Sequence, residues 1–366
     1  MKLEQLQLTQ FRNIVQAHVQ PSHLLNIIIG ENGSGKSSFL EAIHYLGYGR
    51  SFRTTKHRSV IQSETKQFSV FAKCVDENEN QHKIGLLRNQ KDEFLCSING
   101  EKSQRLADLV SYIPVQIFTP QSSDVLLGAP NQRRRYMDWG LFHVEQSFYV
   151  ISLHYIKILK QRNALLKQLQ KSNSTDETQF AYWNAQLAQY GEKVHVARQG
   201  YIDSIKSDFT RISKQFLPEF LVEISYNPGW DQSIDLHTAL NSRMSYDKKI
   251  GYTSVGVHKA DLKVLVDGVN AVERLSRGQL RMLVAALQLA QTLHLNHHSQ
   301  KQGVFLLDDI GAELDVQKRE LFIDELLKTE TQLFVTAIEQ DQLSFTHKYN
   351  DKKMFHVEHG QVKEEP

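Results

Sequence analysis

The 366-residue chain predicts an α/β fold with mixed sheets and a helical lobe that holds a short antiparallel helical hairpin. Three observations carry this. An apolar run, Leu25, Ile27, Ile28 and Ile29, stops abruptly at Gly30, and a helix-like stretch from Ser38 to Tyr48 follows. A buried-type strand, Gly303-Val304-Phe305-Leu306-Leu307, ends in Asp308-Asp309. Between them, from about Asn131, strand patterning gives way to long helical periodicity.

The first block alternates short apolar runs with glycine and polar turns. Strands are expected at Leu3 to Leu8, Val15 to Val19 and Leu25 to Ile29, then, after one helix, at Gln67 to Val75, His82 to Arg88 and Glu93 to Ile98. Period-two alternation of this kind predicts an antiparallel sheet added to the core. Asn99-Gly100 is a strong hairpin turn, since both positions tolerate positive φ.

The segment Gly30-Glu31-Asn32-Gly33-Ser34-Gly35-Lys36-Ser37, with Ser38 continuing into the helix, has the spacing of a phosphate-binding loop in its setting of strand, turn and helix. Glycines at 30, 33 and 35 let the backbone turn tightly and aim successive N–H groups inward, and the helix adds its positive N-terminal end. Such a cup suits a triphosphate. Lys36 is placed to reach the terminal phosphates and the Ser37 hydroxyl to ligate Mg²⁺, a hard cation that prefers oxygen. The bland alternative is a chance glycine turn, which the full eight-residue match disfavours.

At the second strand, two carboxylates stand at the carboxyl end, where ligands gather in open α/β sheets. Asp308 is assigned to Mg²⁺ through water and Asp309 to polarising an attacking water. Read alone, this segment is also compatible with a solvated acidic turn. Strand Val115 to Phe118 precedes Gln121, and Gln332 to Thr336 is a further strand. Leu275-Ser276-Arg277-Gly278-Gln279 precedes a strongly apolar helical stretch, Leu280 to Leu295. It reads either as a phosphate contact at a helix N-terminus or as a plain serine N-cap.

In the middle of the chain, Trp183, Leu187, Tyr190, Val194, Ala197, Tyr201 and Ile205 repeat every three or four residues, as do Leu153, Ile156 and Leu159 with Leu165, Leu166 and Leu169. The polar stretch Ser172-Asn173-Ser174-Thr175-Asp176 is turn-prone, so an antiparallel hairpin with arms of about 30 to 40 residues is expected. Its stripes are either core or a partner-binding face. Strands return at Phe220 to Tyr226, Gly251 to Val257 and Leu262 to Val266. Lys353 to Val362 reads as strand, turn, strand, and Lys363 to Pro366 as a frayed tail.

Taken in order, the phosphate loop, Ser276 to Gln279, the strand ending at Asp308, and Ala312-Glu313-Leu314-Asp315 resemble an ABC-type ATPase head. Phe11-Arg12-Asn13, Gly49-Arg50-Ser51-Phe52-Arg53, Pro130 to Asp138 and Gly256-Val257-His258-Lys259-Ala260-Asp261 narrow the likeness to the RecF family of bacterial recombination mediator ATPases, from Leu3 to Val362. Val257 and Lys259 stand where the family tends to have Pro and Arg. The resemblance implies an ATPase lobe made of residues 1–120 and 276–366 and a helical lobe of 121–275. It also implies ATP and Mg²⁺ as cofactors, Arg12 as a nucleotide contact, Gln121 as a link to the metal, and Thr336 as a phosphate sensor.

In heads of this kind the serine motif cannot close over its own nucleotide, so Ser276, Gly278 and Gln279 would cap ATP held by a second protomer in an ATP-dependent homodimer. The cargo implied is DNA, double-stranded beside a single-stranded gap. Arg50, Arg53, Lys56, His57 and Arg58 are its candidate phosphate contacts, unless they form only a solvated loop. Turnover is expected to be slow and DNA-stimulated, because Asp309 is one methylene shorter than the glutamate common at this position. Recombinational repair and replication restart, mediators of the RecR and RecO type, and a cytoplasmic, nucleoid-associated setting are implied by family likeness. An SMC-like structural ATPase would need longer coiled arms, and a transporter's cytosolic ATPase subunit a shorter spacing than the roughly 240 residues between Lys36 and Ser276.

Composition agrees. A net charge of +2 means that DNA contact must come from a local patch. Nothing resembles a signal peptide, and even Leu280 to Leu295 is interrupted by Arg281 and Gln288, so no membrane span is expected. Two cysteines, Cys74 and Cys96, build neither a disulfide scaffold nor a four-ligand metal site. His294, His297 and His298, expected in a polar loop, and His356 with His359 lack a metal-binding spacing.

Overall fold

The computed structural model describes residues 1–103, 105–172, 178–299, 302–338 and 340–365. The chain divides into two compact units, one made of Met1–Ser123 with Arg277–Pro366 and the other of Asp124–Ser276.

The first unit holds two six-stranded sheets. One is antiparallel throughout and runs, across the sheet, Ile14–Val19, Lys2–Phe11, Gln67–Val75, Gln81–Asn89, Phe94–Ile98 and Glu101–Ser103. Asn99 and Gly100, with φ of 53° and 91°, close the last hairpin as their residue types require. The other runs Gln361–Glu365, Lys352–Glu358, Leu25–Ile29, Gln332–Ala337, Val304–Leu307 and Val115–Phe118. It is parallel except for its closing hairpin. Its three central strands, Leu25–Ile29, Gln332–Ala337 and Val304–Leu307, are continuously buried, as strands covered on both faces are.

Helix Lys36–Tyr48 lies between the sheets. Phe39 packs 6.5 Å from Phe334 and 6.4 Å from Phe355 on the mixed sheet, while Tyr45 meets Phe11 and Phe68 of the antiparallel sheet edge-on at 5.7 and 5.2 Å. All residues from Ser38 to Gly47 are buried, so this helix is apolar nearly all round rather than striped.

The second unit is built on helices Pro130–Val144, Phe148–Ser172 and Thr178–Phe216, with a three-stranded antiparallel sheet of Val222–Asn227, Asp261–Val266 and Val269–Asn270. The two long helices run antiparallel, since Arg162 bonds Asn184 and His154 stacks on Tyr190. The stretch Asn173 to Asp176 expected to turn between them lies outside the described residues. In the second helix the expected stripe is core at Leu187, Val194, Tyr201 and Ile205. In the first the phase differs over the N-terminal half only, since Leu166 of the expected stripe is buried with Leu165 and Leu169 packed against it. Leu153 and Ile156 are 47% and 46% exposed, and Tyr155, Ile158, Arg162 and Leu166 face inward.

Arg162 is the reason for that phase. Fully buried, it donates from Nη1 to Asp247 Oδ2 at 2.8 Å and to Thr253 Oγ1 at 2.7 Å, and from Nε to Asn184 Oδ1 at 2.7 Å. A charge this well satisfied can occupy a core position that sequence patterning reserves for apolar residues.

Three further expectations are corrected. Gly251 to Val257 is not a strand, because Thr253 and Ser254 turn inward to Arg162, Asn163 and Asp247 instead of pairing in a ladder. His294, His297 and His298 belong to helix Arg277–His298, and His294 is buried and stacked on His298 at 4.1 Å. Residues 363–365 are not frayed but continue strand Gln361–Glu365, with Lys363 paired to His356. Among the described residues no helix is long and apolar enough to cross a membrane.

Candidate nucleotide site

The parallel register assembles the site. Leu307 pairs with Val335 and Phe118, and Ala337 with Ile29, so Gly30, Asp308, Thr336 and Thr119 fall together at the carboxyl ends of four strands. A cleft of 1070 Å³ opens there, lined by the loop from Asn32 to Ser38 and by Arg12, Asn13, Arg53, Gln121, Asp308, Asp309 and Thr336.

The loop needs its glycines. Gly30 has φ 150°, and a Cβ there would sit 2.3 Å from the Val357 carbonyl. Gly35, at φ 125°, faces the Asn13 amide, whose Nδ2 donates to Ser34 O at 2.9 Å. From the closing hairpin, Gly360 N donates to the same carbonyl at 2.9 Å. The phosphate loop is therefore held by the first and last hairpins of this unit as well as by its own strand.

Lys36 Nζ donates to Gly30 O at 2.6 Å and Glu31 O at 2.9 Å. Burial pulls its pKa down, opposed by the nearby charges of Asp309 and Asp308. Ser37 Oγ donates to Asp308 Oδ1 at 3.0 Å, and Thr336 Oγ1 donates to the same oxygen at 3.1 Å. Burial raises the Asp308 pKa, and these two hydrogen bonds counter it. Thr336 Oγ1 also accepts the Asp309 N–H at 2.8 Å. Asp309, tethered in this way, has φ 55° and ψ 39°, a left-handed conformation uncommon outside glycine, and its side chain is exposed to the cleft.

The donor set is chemically selective. A hydroxyl and a carboxylate in contact offer hard oxygens, and no cluster of three or more His, Cys, Asp or Glu occurs among the described residues. Such a pair fits Mg²⁺, which keeps several waters and takes the rest of its shell from phosphate oxygens.

The other expected site residues are distributed as follows. Arg12 lines the cleft but gives its guanidinium to Glu41, with Nε and Nη2 at 2.9 and 2.7 Å, and to Ser59 O at 2.6 Å. Arg53 lines the same cleft, 3.8 Å from Glu41. Arg50 and Lys56 are exposed outside it, Arg58 donates to Gln90 O, and His57 sits 3.5 Å from Asp92. Gln121 follows the 118–119 strand end in a short helical turn. Ser276 is exposed at the end of the second unit, and Gly278 and Gln279 open helix Arg277–His298, with free space where a Gly278 Cβ would stand. Arg133 pairs with Asp261 at 2.6 Å inside the helical unit, as a carboxylate partner there would require.

Glu41 was not singled out by sequence reasoning. It is fully buried and holds Arg12, Ser51 and Arg53 together. Its signal is readable: it is the one acidic residue in a helix whose middle is mostly apolar, and a buried carboxylate demands partners. Gly360 and Val357 were missed because their contacts span more than 300 residues of sequence.

Comparison with known proteins places this geometry. The family model described as RecF/RecN/SMC N terminal domain matches residues 2–363. The chain is 54% identical over 365 residues to the DNA replication and repair protein RecF of Pseudoalteromonas atlantica, covering 100% of both. It is 40% identical over 362 residues to that of Shewanella denitrificans, covering 99% of both. Its fold is similar to that of the recombination mediator protein RecF-ATP in the RecFOR pathway, with a TM-score of 0.88 at 24% identity over 100% of this chain and 98% of that one. An SMC head bound to the C-winged helix domain of ScpA gives a TM-score of 0.62 at 14% identity, over 100% and 97%.

Proposed function

This chain belongs to the RecF family of DNA replication and repair proteins, built on the ABC-type ATPase head shared with SMC proteins, and from that premise we propose that it is an ATP-driven clamp on DNA. Two protomers close around two ATP molecules, hold DNA at single-strand gaps, and release it on hydrolysis. The observation that carries this reading is the meeting of Ser37, Asp308 and Thr336 beneath the phosphate loop, with Asp309 beside them in the open cleft.

The phosphates are received by the N–H groups of residues 33–38 and the end of helix Lys36–Tyr48, where backbone donors and the helix dipole converge. Lys36, now spent on two loop carbonyls, exchanges them for phosphate oxygens of higher charge. Ser37 and Asp308 would hold Mg²⁺, whose charge would neutralise the phosphates when bound. Asp309 accepts a hydrogen bond from the attacking water. Its short side chain leaves that water loosely oriented, so turnover is slow, and a clamp benefits from remaining closed. Arg53, facing the cleft, adds a cation on the phosphate side.

Ser276 and Gly278 of one protomer cap the nucleotide of the other, and ATP shifts the monomer–dimer equilibrium by its differential affinity for the closed pair. Arg50, Lys56 and Arg58 contact the duplex backbone without reading sequence. Mediators of the RecR and RecO kind act beside the clamp at the nucleoid. Light scattering of the wild type with ATP and with ADP tests the switch: a dimer with ATP alone is expected, lost in Lys36→Arg. Ser276→Arg should bind ATP as a monomer. Normal dimerisation in either variant refutes the composite site, and equal binding of gapped and intact duplex at two salt concentrations refutes the preference for gaps.

A further inference from the structure

The outward stripe of helix Phe148–Ser172 stays largely open to solvent, with Tyr149 edge-on to Phe142 at 5.5 Å at its start. Tyr149, Leu153 and Ile156 are 39%, 47% and 46% exposed on successive turns of one face. Farther along the same helix, Lys157, Lys160 and Lys167 are exposed, and none is ion-paired among the described residues. The helix contains no Asp or Glu. Its surface is therefore apolar at the N-terminal end and, beyond it, carries lysines among neutral residues with no acid, over about 27 Å from Tyr149 to Lys167 at the rise of an α-helix.

We infer that this stripe is a docking face for an acidic amphipathic helix of another protein. A partner that fits it carries two or three large apolar residues at helical spacing at one end and carboxylates over the following turns. Charge selects this occupant. A second copy of the chain laid parallel would set lysine against lysine, and laid antiparallel would set lysine against Leu153 and Ile156, with no acid offered either way. A nucleic-acid backbone would satisfy the lysines but leave the apolar half facing phosphate and water. The buried Arg162–Asp247 pair on the opposite side fixes which face the helix turns outward, so the stripe is presented rigidly.

Full-length chain carrying benzoylphenylalanine at Ile156 is photo-crosslinked in the source cells, and the joined residue is mapped by mass spectrometry. The expected product is an acidic segment with apolar residues at helical spacing. A synthetic peptide of the mapped segment should bind the wild type, lose at least about tenfold in affinity to Leu153→Asp and to the triple reversal Lys157→Glu, Lys160→Glu, Lys167→Glu, and regain it for the reversal when its acids are changed to lysine. Circular dichroism verifies that the variants are folded. Crosslinks to nucleic acid, to a second copy or to nothing, or a peptide whose binding ignores the charge reversal, overturn the inference.

Discussion

Replacing Thr336 by valine removes one oxygen and almost nothing else, yet that oxygen joins both aspartates of the site. Thr336 is 1% exposed, receives the Asp309 N–H at 2.8 Å and donates to Asp308 Oδ1 at 3.1 Å. In the variant the amide is left without its partner, at a cost of about 1–3 kcal/mol, and the carboxylate loses a donor worth about 1.5–3 kcal/mol. The larger effect is on orientation. Asp309 holds a left-handed conformation, less favoured than the right-handed regions for any residue but glycine, and without the tether the carboxylate is free to leave its position. If about 1.4–2.7 kcal/mol of the tether's contribution is expressed in the transition state, phosphate release slows roughly 10- to 100-fold. Binding of a fluorescent ATP analogue should change little, because Lys36 and Ser37 are untouched. Since the Thr336 hydrogen bond holds the Asp308 pKa down, the acid limb of the pH–rate profile should move to higher pH. Thr336→Ser should restore both rate and profile. A valine variant with wild-type turnover and an unshifted acid limb would refute the tether.

The other predictions concern stability and the loop. Asp308 is a buried carboxylate with a raised pKa, so its ionised form destabilises the nucleotide-free fold. The stability of the neutral form is fully present below the ordinary carboxylate range and lost as pH rises through the raised value. Asp308→Asn, which keeps both hydrogen-bond donors, should raise the melting temperature by calorimetry near neutral pH, and the gain should vanish in acid. Gly360 has φ 76°, and a Cβ there would lie 2.0 Å from Asn13 O, so Gly360→Ala should cost more than about 1 kcal/mol and weaken ATP binding in isothermal titration through the displaced Ser34 contact. Arg162→Met leaves Asp247 buried and unpaired, at a cost of about 3–5 kcal/mol. All three tryptophans, Trp139, Trp183 and Trp230, lie in the helical unit, so their fluorescence in urea reports this loss directly.

The parts of the site that are local in sequence were legible in it. The glycine spacing at 30, 33 and 35 and the strand ending at Asp308 are short-range patterns, and their elements begin and end within a residue or two of expectation. The antiparallel sheet was readable for the same reason, since period-two alternation is a property of each strand alone. What escaped depends on tertiary partners. Leu153 and Ile156 match a core stripe in every local respect, and only the Arg162 network turns the helix the other way. Gly251 to Val257 has the composition of a strand, but its polar groups are consumed by Asp247, Asn163 and Arg162. The cation cluster from Arg50 to Arg58 reads as uniform in sequence, whereas the buried carboxylate of Glu41 draws Arg53 away from the others and toward the cleft.

The grip of Gly360 and Val357 on the loop at Gly30 and Ser34 has a bearing on synthesis. A nascent polypeptide carries its glycine-rich turn out of the ribosome more than three hundred residues before the hairpin that braces it. The full bracing of the loop must then wait for translation to pass Gly360. A product cut short of Gly360 would leave the Ser34 carbonyl without the hydrogen bond from the closing hairpin.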